Sequence, residues 1–157
     1  MNYPKMRRAD RQLSQENAID IIEKSDYAIL SLSHDNMPYG VPLSPVISGN
    51  TIYFHCAHDG FKIDIIKDNP YGHFVFISSS ENSGADATVF YESAMVHGSL
   101  RFVTSSDERK LAFSLIIDRY MSSYKQVGKK NVTQGGKRTT LIAMDINKMS
   151  AKANRKI

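Results

Sequence analysis

The sequence has a single cysteine in 157 residues, Cys56. No disulfide can form within the chain, which excludes the stapled scaffold of a small secreted domain and fits a reducing compartment. No run reaches the roughly 18 consecutive apolar residues that a membrane-spanning helix needs. The opening MNYPKMRRADRQLS is charged where a secretory signal would be apolar. A soluble, cytoplasmic protein without a membrane partner is therefore expected. Internal repeats and low-complexity tracts are missing, and no second Cys/His pair stands at the spacing of a zinc site, so no metal is expected.

What is present suits one globular domain over residues 1–157, with a basic N-terminal arm and C-terminal tail. The apolar share is 41%, enough for a core without covalent staples. The net charge of +4 raises the question of nucleic acid, but the excess sits at Lys5, Arg7, Arg8 and Arg11 and in the stretches 129–138 and 148–156. Basic ends of this kind are usually solvated arms, and no nucleic-acid motif accompanies them.

Periodicity orders the elements. Ser14 or Leu13 opens a helix with Ala18, Ile19 and Ile22 on one side. Tyr27 to Ser33 reads as a strand, followed by a polar turn and a second strand from Tyr39 to Ile47 whose Pro42 and Pro45 suggest an irregular edge. In Thr51 to Cys56, Ile52, Phe54 and Cys56 share one face, while Thr51, Tyr53 and His55 share the other, available face. A short helix from Phe61 to Lys67, with Phe61, Ile65 and Ile66 inward, ends before Asn69-Pro70. Strands follow at His73 to Ser79 and Thr88 to Val103, separated by a loop SSENSGAD, with Gly98 a bulge or close-packing point. Ser105 to Glu108 offers a capping box for a helix with Leu111, Leu115 and Ile116 on one side. A loop from Lys125 to Lys137 and a last strand from Thr139 to Ile146 complete the chain. About six strands with single short helices, mostly in hairpin succession, favour a mainly β, antiparallel barrel over a doubly wound parallel sheet.

The chemistry concentrates in His55-Cys56-Ala57-His58-Asp59-Gly60-Phe61-Lys62, where a strand end, a turn glycine and a helix start meet. It has three readings. As a zinc site it would use His55, Cys56 and His58, although strand neighbours point opposite ways. As an ordinary strand and turn it leaves His55 a satisfied histidine and Lys62 a solvated cation. As an anion site it places backbone N–H groups, the positive end of a helix and Lys62 where a phosphate docks.

Pro38-Tyr39-Gly40-Val41-Pro42-Leu43-Ser44, then Tyr53-Phe54-His55, Gly60-x-Lys62 and Tyr91-Glu92-Ser93-x-x-x-x-Gly98 resemble the pyridoxamine 5′-phosphate oxidase-like FMN-binding split-barrel superfamily. Met6-Arg7-Arg8-x-Asp10-Arg11 and Lys152-Ala153 are similar to its nitroimidazole-resistance branch. The family commonly has Gly-Lys-Lys where Phe61 separates Gly60 from Lys62, and Thr-Gly-Lys where this chain has Ser150-Ala151-Lys152. The resemblance implies a six-stranded split β-barrel homodimer with FMN at the subunit interface. Val41, Pro42, Leu43 and Ser44 would follow the ring edge, His55 would face flavin and substrate, Ala57, Gly60, Phe61 and Lys62 would hold the phosphate, and Glu92 and Ser93 would line the cleft.

On this resemblance the expected activity is an FMN-dependent oxidoreductase, taking electrons from a nicotinamide or other reductant. The small-molecule acceptor would be a nitroaromatic of the 5-nitroimidazole type, with His55 as proton donor. Two alternatives share the fold: a flavin-binding or storage protein without catalysis, and a haem-binding split barrel with an axial histidine.

Overall fold

The computed structural model describes residues 3, 5–128 and 139–155. The basic stretch 129–138 and the larger part of the loop expected from Lys125 to Lys137 lie outside them, while residues 125–128 are helical. Among the described residues, helices α1 (Gln15–Lys24), α2 (Phe61–Asp68) and α3 (Ser106–Tyr120) accompany eight strands. The strands are β1 (Gln12–Leu13), β2 (Ala28–His34), β3 (Met37–Leu43), β4 (Val46–Ser48), β5 (Thr51–Cys56), β6 (Tyr71–Ser83), β7 (Thr88–Phe102) and β8 (Thr140–Asn154).

Every strand pairing is antiparallel, in the order β3-β2-β6-β7-β8-β5-β4, with β1 added on β8. The two terminal strands of that path, β3 and β4, are joined by only Ser44 and Pro45. Three consecutive Cα–Cα steps from Leu43 to Val46 reach at most about 11 Å. The sheet must therefore curl until its ends nearly meet, yet β3 and β4 do not pair. Pro42 and Pro45 have no N–H to donate to a closing ladder. The result is a barrel split at this seam.

The strand expected from Tyr39 to Ile47 is thus two strands on opposite sides of the split. The stretch SSENSGAD is largely strand, because β6 runs to Ser83 and only residues 84–87 turn. Its side chains are mostly exposed, so pairing with β7 needs no apolar alternation there. The last strand continues from Ile146 to Asn154 through the expected tail, since Ala151 and Ala153 are buried and Lys152 between them faces out. Eight strands replace the expected six.

Helix starts follow their caps. The Ser14 hydroxyl accepts from the Asn17 N–H at 3.3 Å, and the Ser105 hydroxyl accepts from the Glu108 N–H at 3.5 Å. The buried faces differ from expectation by about one position. α1 buries Ala18, Ile21 and Ile22, leaving Ile19 36% exposed. α2 buries Ile63, Ile65 and Ile66 but not Phe61, and α3 buries Ala112, Phe113, Ile116 and Ile117 but not Leu111. Leu115 lies only partly buried. Where several apolar positions compete, the layer beneath decides which stripe is pressed inward.

Phe54, Phe74 and Phe76 centre the main core; the first two rings meet edge to face at 5.7 Å. A second cluster packs α3 against Val46, Tyr53, Leu141 and Ala143. Tyr53, expected on an available face, is buried under that helix. Gly98 is at a register shift between β7 and β8, as its position suggests. Arg101 on β7 ties these layers together, donating to Glu108 of α3 at 2.7 Å and to Asp145 of β8 at 2.9 Å. The Tyr53 hydroxyl donates to the same Glu108 at 3.0 Å.

Candidate functional site

β3 places Val41 and Leu43 against the core and leaves Pro42 and Ser44 exposed. As a terminal strand it pairs only with β2, so its other backbone edge is open beside the split. That edge can offer hydrogen bonds to the rim of a flat ligand. Across the split, β5 ends at His55 and Cys56 and the chain turns through Ala57 to Gly60 into α2. His58 anchors this turn to β8, with Nδ1 2.9 Å from the Thr140 hydroxyl.

Gly60 adopts φ 111°, a region that disfavours side chains, and a Cβ built there meets nothing within 4 Å. It also gives α2 no side-chain cap. The helix therefore starts with open space and uncapped N–H groups, a setting suited to an anion. Lys62 stands in the first turn, and its charge acts on both His55 and Cys56. Burial first, then this cation, holds the His55 imidazole below the ordinary histidine range. Burial pushes the Cys56 thiol up, against the pull of Lys62.

Phe61 has a different place from the phosphate role given to its position. Its ring packs edge-on against Tyr39 at 5.4 Å and His34 at 6.0 Å, bracing α2 on the β2–β3 hairpin. Only its backbone N–H remains for a phosphate.

Glu92 and Ser93 are neighbours on β7 and face opposite ways. Glu92 accepts from Arg155 at 2.8 Å and from the Ser78 hydroxyl at 3.3 Å. Ser93 points to the outer face of the sheet, where its buried Oγ has no hydrogen-bond partner. The Nε2 of His73 on β6 is likewise buried and unpartnered. Two orphaned polar atoms on one face are costly unless something outside this chain satisfies them.

The structure thus brings Val41 to Ser44 and His55 to Lys62 to the two sides of the split, and sets Ser93 elsewhere. Three strand spacings separate β3 from β7 along the sheet, about 14 Å. Sequence reasoning passed over His97, Lys148 and their surroundings. These join Ser93 and Lys152 only through the β7–β8 register, which pairs Ser93 with Lys152 and His97 with Lys148. Among the described residues, no three His, Cys, Asp or Glu side chains gather as a metal-ligand set, and no helix is long and apolar enough to cross a membrane.

Residues 14–153 match the profile of the pyridoxamine 5′-phosphate oxidase family. No protein of curated function matches the chain in sequence. Among solved structures, a candidate 5-nitroimidazole antibiotic resistance protein from Bacteroides thetaiotaomicron superposes with a TM-score of 0.73 at 18% identity, covering 92% of this chain and 90% of that one. A FAD-binding protein from Mesorhizobium loti gives 0.66 at 18% identity, covering 92% and 98%. A FAD and haem binding protein from Mycobacterium smegmatis gives 0.73 at 14% identity, covering 93% and 74%. At such identities the likeness is one of fold.

Proposed function

The chain belongs to the pyridoxamine 5′-phosphate oxidase family, and from that premise we propose that it is a flavin-dependent oxidoreductase that binds FMN between the subunits of a homodimer. The observation that carries this reading is the separation of two incomplete half-sites. One is the open β3 edge with the uncapped start of α2; the other is the outer face of β6 and β7 with its orphaned His73 atom. A two-fold dimer that sets the second face of one protomer against the first edge of its partner completes both sites at once. Exposed Ile77 on that outer face supplies apolar surface for the contact.

Bound flavin supplies two-electron redox chemistry. The chain's residues supply the rest. The Phe61 and Lys62 N–H groups and the Lys62 ammonium meet the phosphate, with Gly60 leaving room for it. A single phosphate at a site with one such lysine favours FMN over the larger FAD. Val41 to Ser44 offer backbone hydrogen bonds along the ring, while Ser93 borders the cleft and Glu92, on the opposite face of β7, holds Arg155. His55, beside Lys62, delivers a proton to the reduced acceptor, which we take to be a nitroaromatic reduced at its nitro group.

The test is an absorbance spectrum after incubation with FMN and removal of free ligand, followed by turnover with NADH or NADPH and a nitroaromatic. Retained flavin bands at about one per chain, with acceptor reduction, are expected. Retained flavin without turnover with any donor would leave a flavin-storage protein, a Soret band in place of flavin would mark a haem protein, and no retention would refute the proposal.

A further inference from the structure

Ser93, Met95 and His97 point outward from β7, and the register sets Lys152, Ser150 and Lys148 beside them on β8. The N-terminal segment spans this strip. At one end the Tyr3 ring meets His97 at 4.8 Å, and at the other Gln12 and Leu13 pair with Lys152 and Ala151. Between segment and sheet lies a groove of about 700 Å³, the size of a pocket for a small organic molecule.

The groove has one sign of charge. Lys5, Lys148 and Lys152 line it, and no Asp or Glu is among its described lining residues. Lys148 and Lys152 lie over the rings of Tyr3 and Tyr91, at 5.0 and 5.6 Å, and each keeps donors for another partner. Four steps along the strand separate the two lysines, about 13 Å. At the Lys152 end the buried, unpartnered Ser93 hydroxyl faces the same space. At the Lys148 end the surface is aromatic.

We propose that this groove binds a flat aromatic carboxylate, its anion between Lys152 and the Ser93 hydroxyl and its ring lying toward Met95 and Tyr3. The carboxylate satisfies Ser93 and neutralises a cation at once, which a neutral ring of the same shape does not do. The proposal rests on the oxidoreductase reading only for the role of this ligand as acceptor; the binding itself is tested apart from it.

The FMN-treated protein is titrated by calorimetry with 4-nitrobenzoate and with its neutral isostere 4-nitrobenzamide, and the same pair is titrated into FMN-free protein. The carboxylate is expected to bind about tenfold more tightly, with Lys152→Met reducing it to the affinity of the amide while flavin per chain stays unchanged. Lys148→Met is expected to weaken both ligands to a similar extent. Equal affinities for the two ligands, or a preference that survives Lys152→Met, would overturn the proposal. Displacement of flavin by 4-nitrobenzoate, or flavin loss in Lys152→Met, would assign the groove to the cofactor and overturn it too. A protein that retains no FMN yet prefers the carboxylate would defeat the flavin reading alone.

Discussion

Gly98→Ala puts one methyl group at the bulge where β7 crosses β8. The added Cβ would lie inside contact distance of Met144 Cγ and 2.5 Å from the Asp145 carbonyl oxygen. Met144 is fully buried, and Asp145 sits in the ladder between β5 and β7, so its carbonyl oxygen cannot give way as a free side chain would. The strands must separate by roughly 1 Å to restore a normal carbon contact. Overpacking of this kind costs about 1–3 kcal/mol, while alanine recovers about 0.4–1 kcal/mol by restricting the unfolded chain. A net loss of about 1.3 kcal/mol is expected, or a fall in Tm of about 3–5 °C for a chain of this size. Gly84→Ala is the control, because a Cβ there meets nothing within 4 Å and its φ is not in the left-handed region. Urea denaturation of both variants gives the comparison. A Gly98→Ala protein within about 0.5 kcal/mol of the parent would refute the close approach of β7 and β8.

Arg101→Met removes the link among β7, β8 and α3 and is expected to cost roughly 1 kcal/mol near neutral pH, since the group is part exposed. Arg101 holds the Glu108 carboxyl below its usual range, so this contribution is present above the unfolded carboxylate pKa and is lost as pH falls through the folded value. Denaturation curves of parent and variant should therefore converge below about pH 4. His55, His73 and His97 are all held below the ordinary histidine range, chiefly by burial. The unfolded chain binds more protons than the folded one as pH drops below about 6.5, so stability should decline between about pH 7 and 5; His97→Gln should flatten that slope. His55→Ala should retain flavin and lower nitro-group reduction about 10²-fold or more, and a variant with full turnover and full flavin would remove His55 from the reaction.

Much of the fold is legible where one local signal acts alone. Ser14 and Ser105 mark their helices because a hydroxyl before a first turn has one obvious use. The Asp35-Asn36 turn is equally plain, with both residues at positive φ in the β2–β3 hairpin. Signals fail where tertiary layers arbitrate. Ile19 and Ile21 are equally apolar, and only the sheet beneath α1 selects Ile21. Residues 79–83 look like a loop because a strand exposed on both faces needs no alternation. The prolines around Ser44 signal an irregular edge, but the split appears only when β3 and β4 are seen at opposite ends of the sheet path.

The site follows the same rule. His55 to Lys62 is contiguous, so its chemistry is visible as a string. The groove joins residues from three distant stretches, Tyr3 to Gln15, Ser93 to His97 and Lys148 to Lys152, and no local pattern announces it. Glu92 and Ser93 are adjacent in sequence, yet strand geometry sends one to Arg155 and the other to the outer face.

Light scattering during size-exclusion chromatography of the FMN-loaded protein, with absorbance read at the flavin band across the same peak, decides whether flavin is held between two subunits. Flavin should travel with a species of twice the 17.6 kDa chain mass, at about one flavin per chain. Flavin carried by a single chain, or a dimer that carries none, would contradict it.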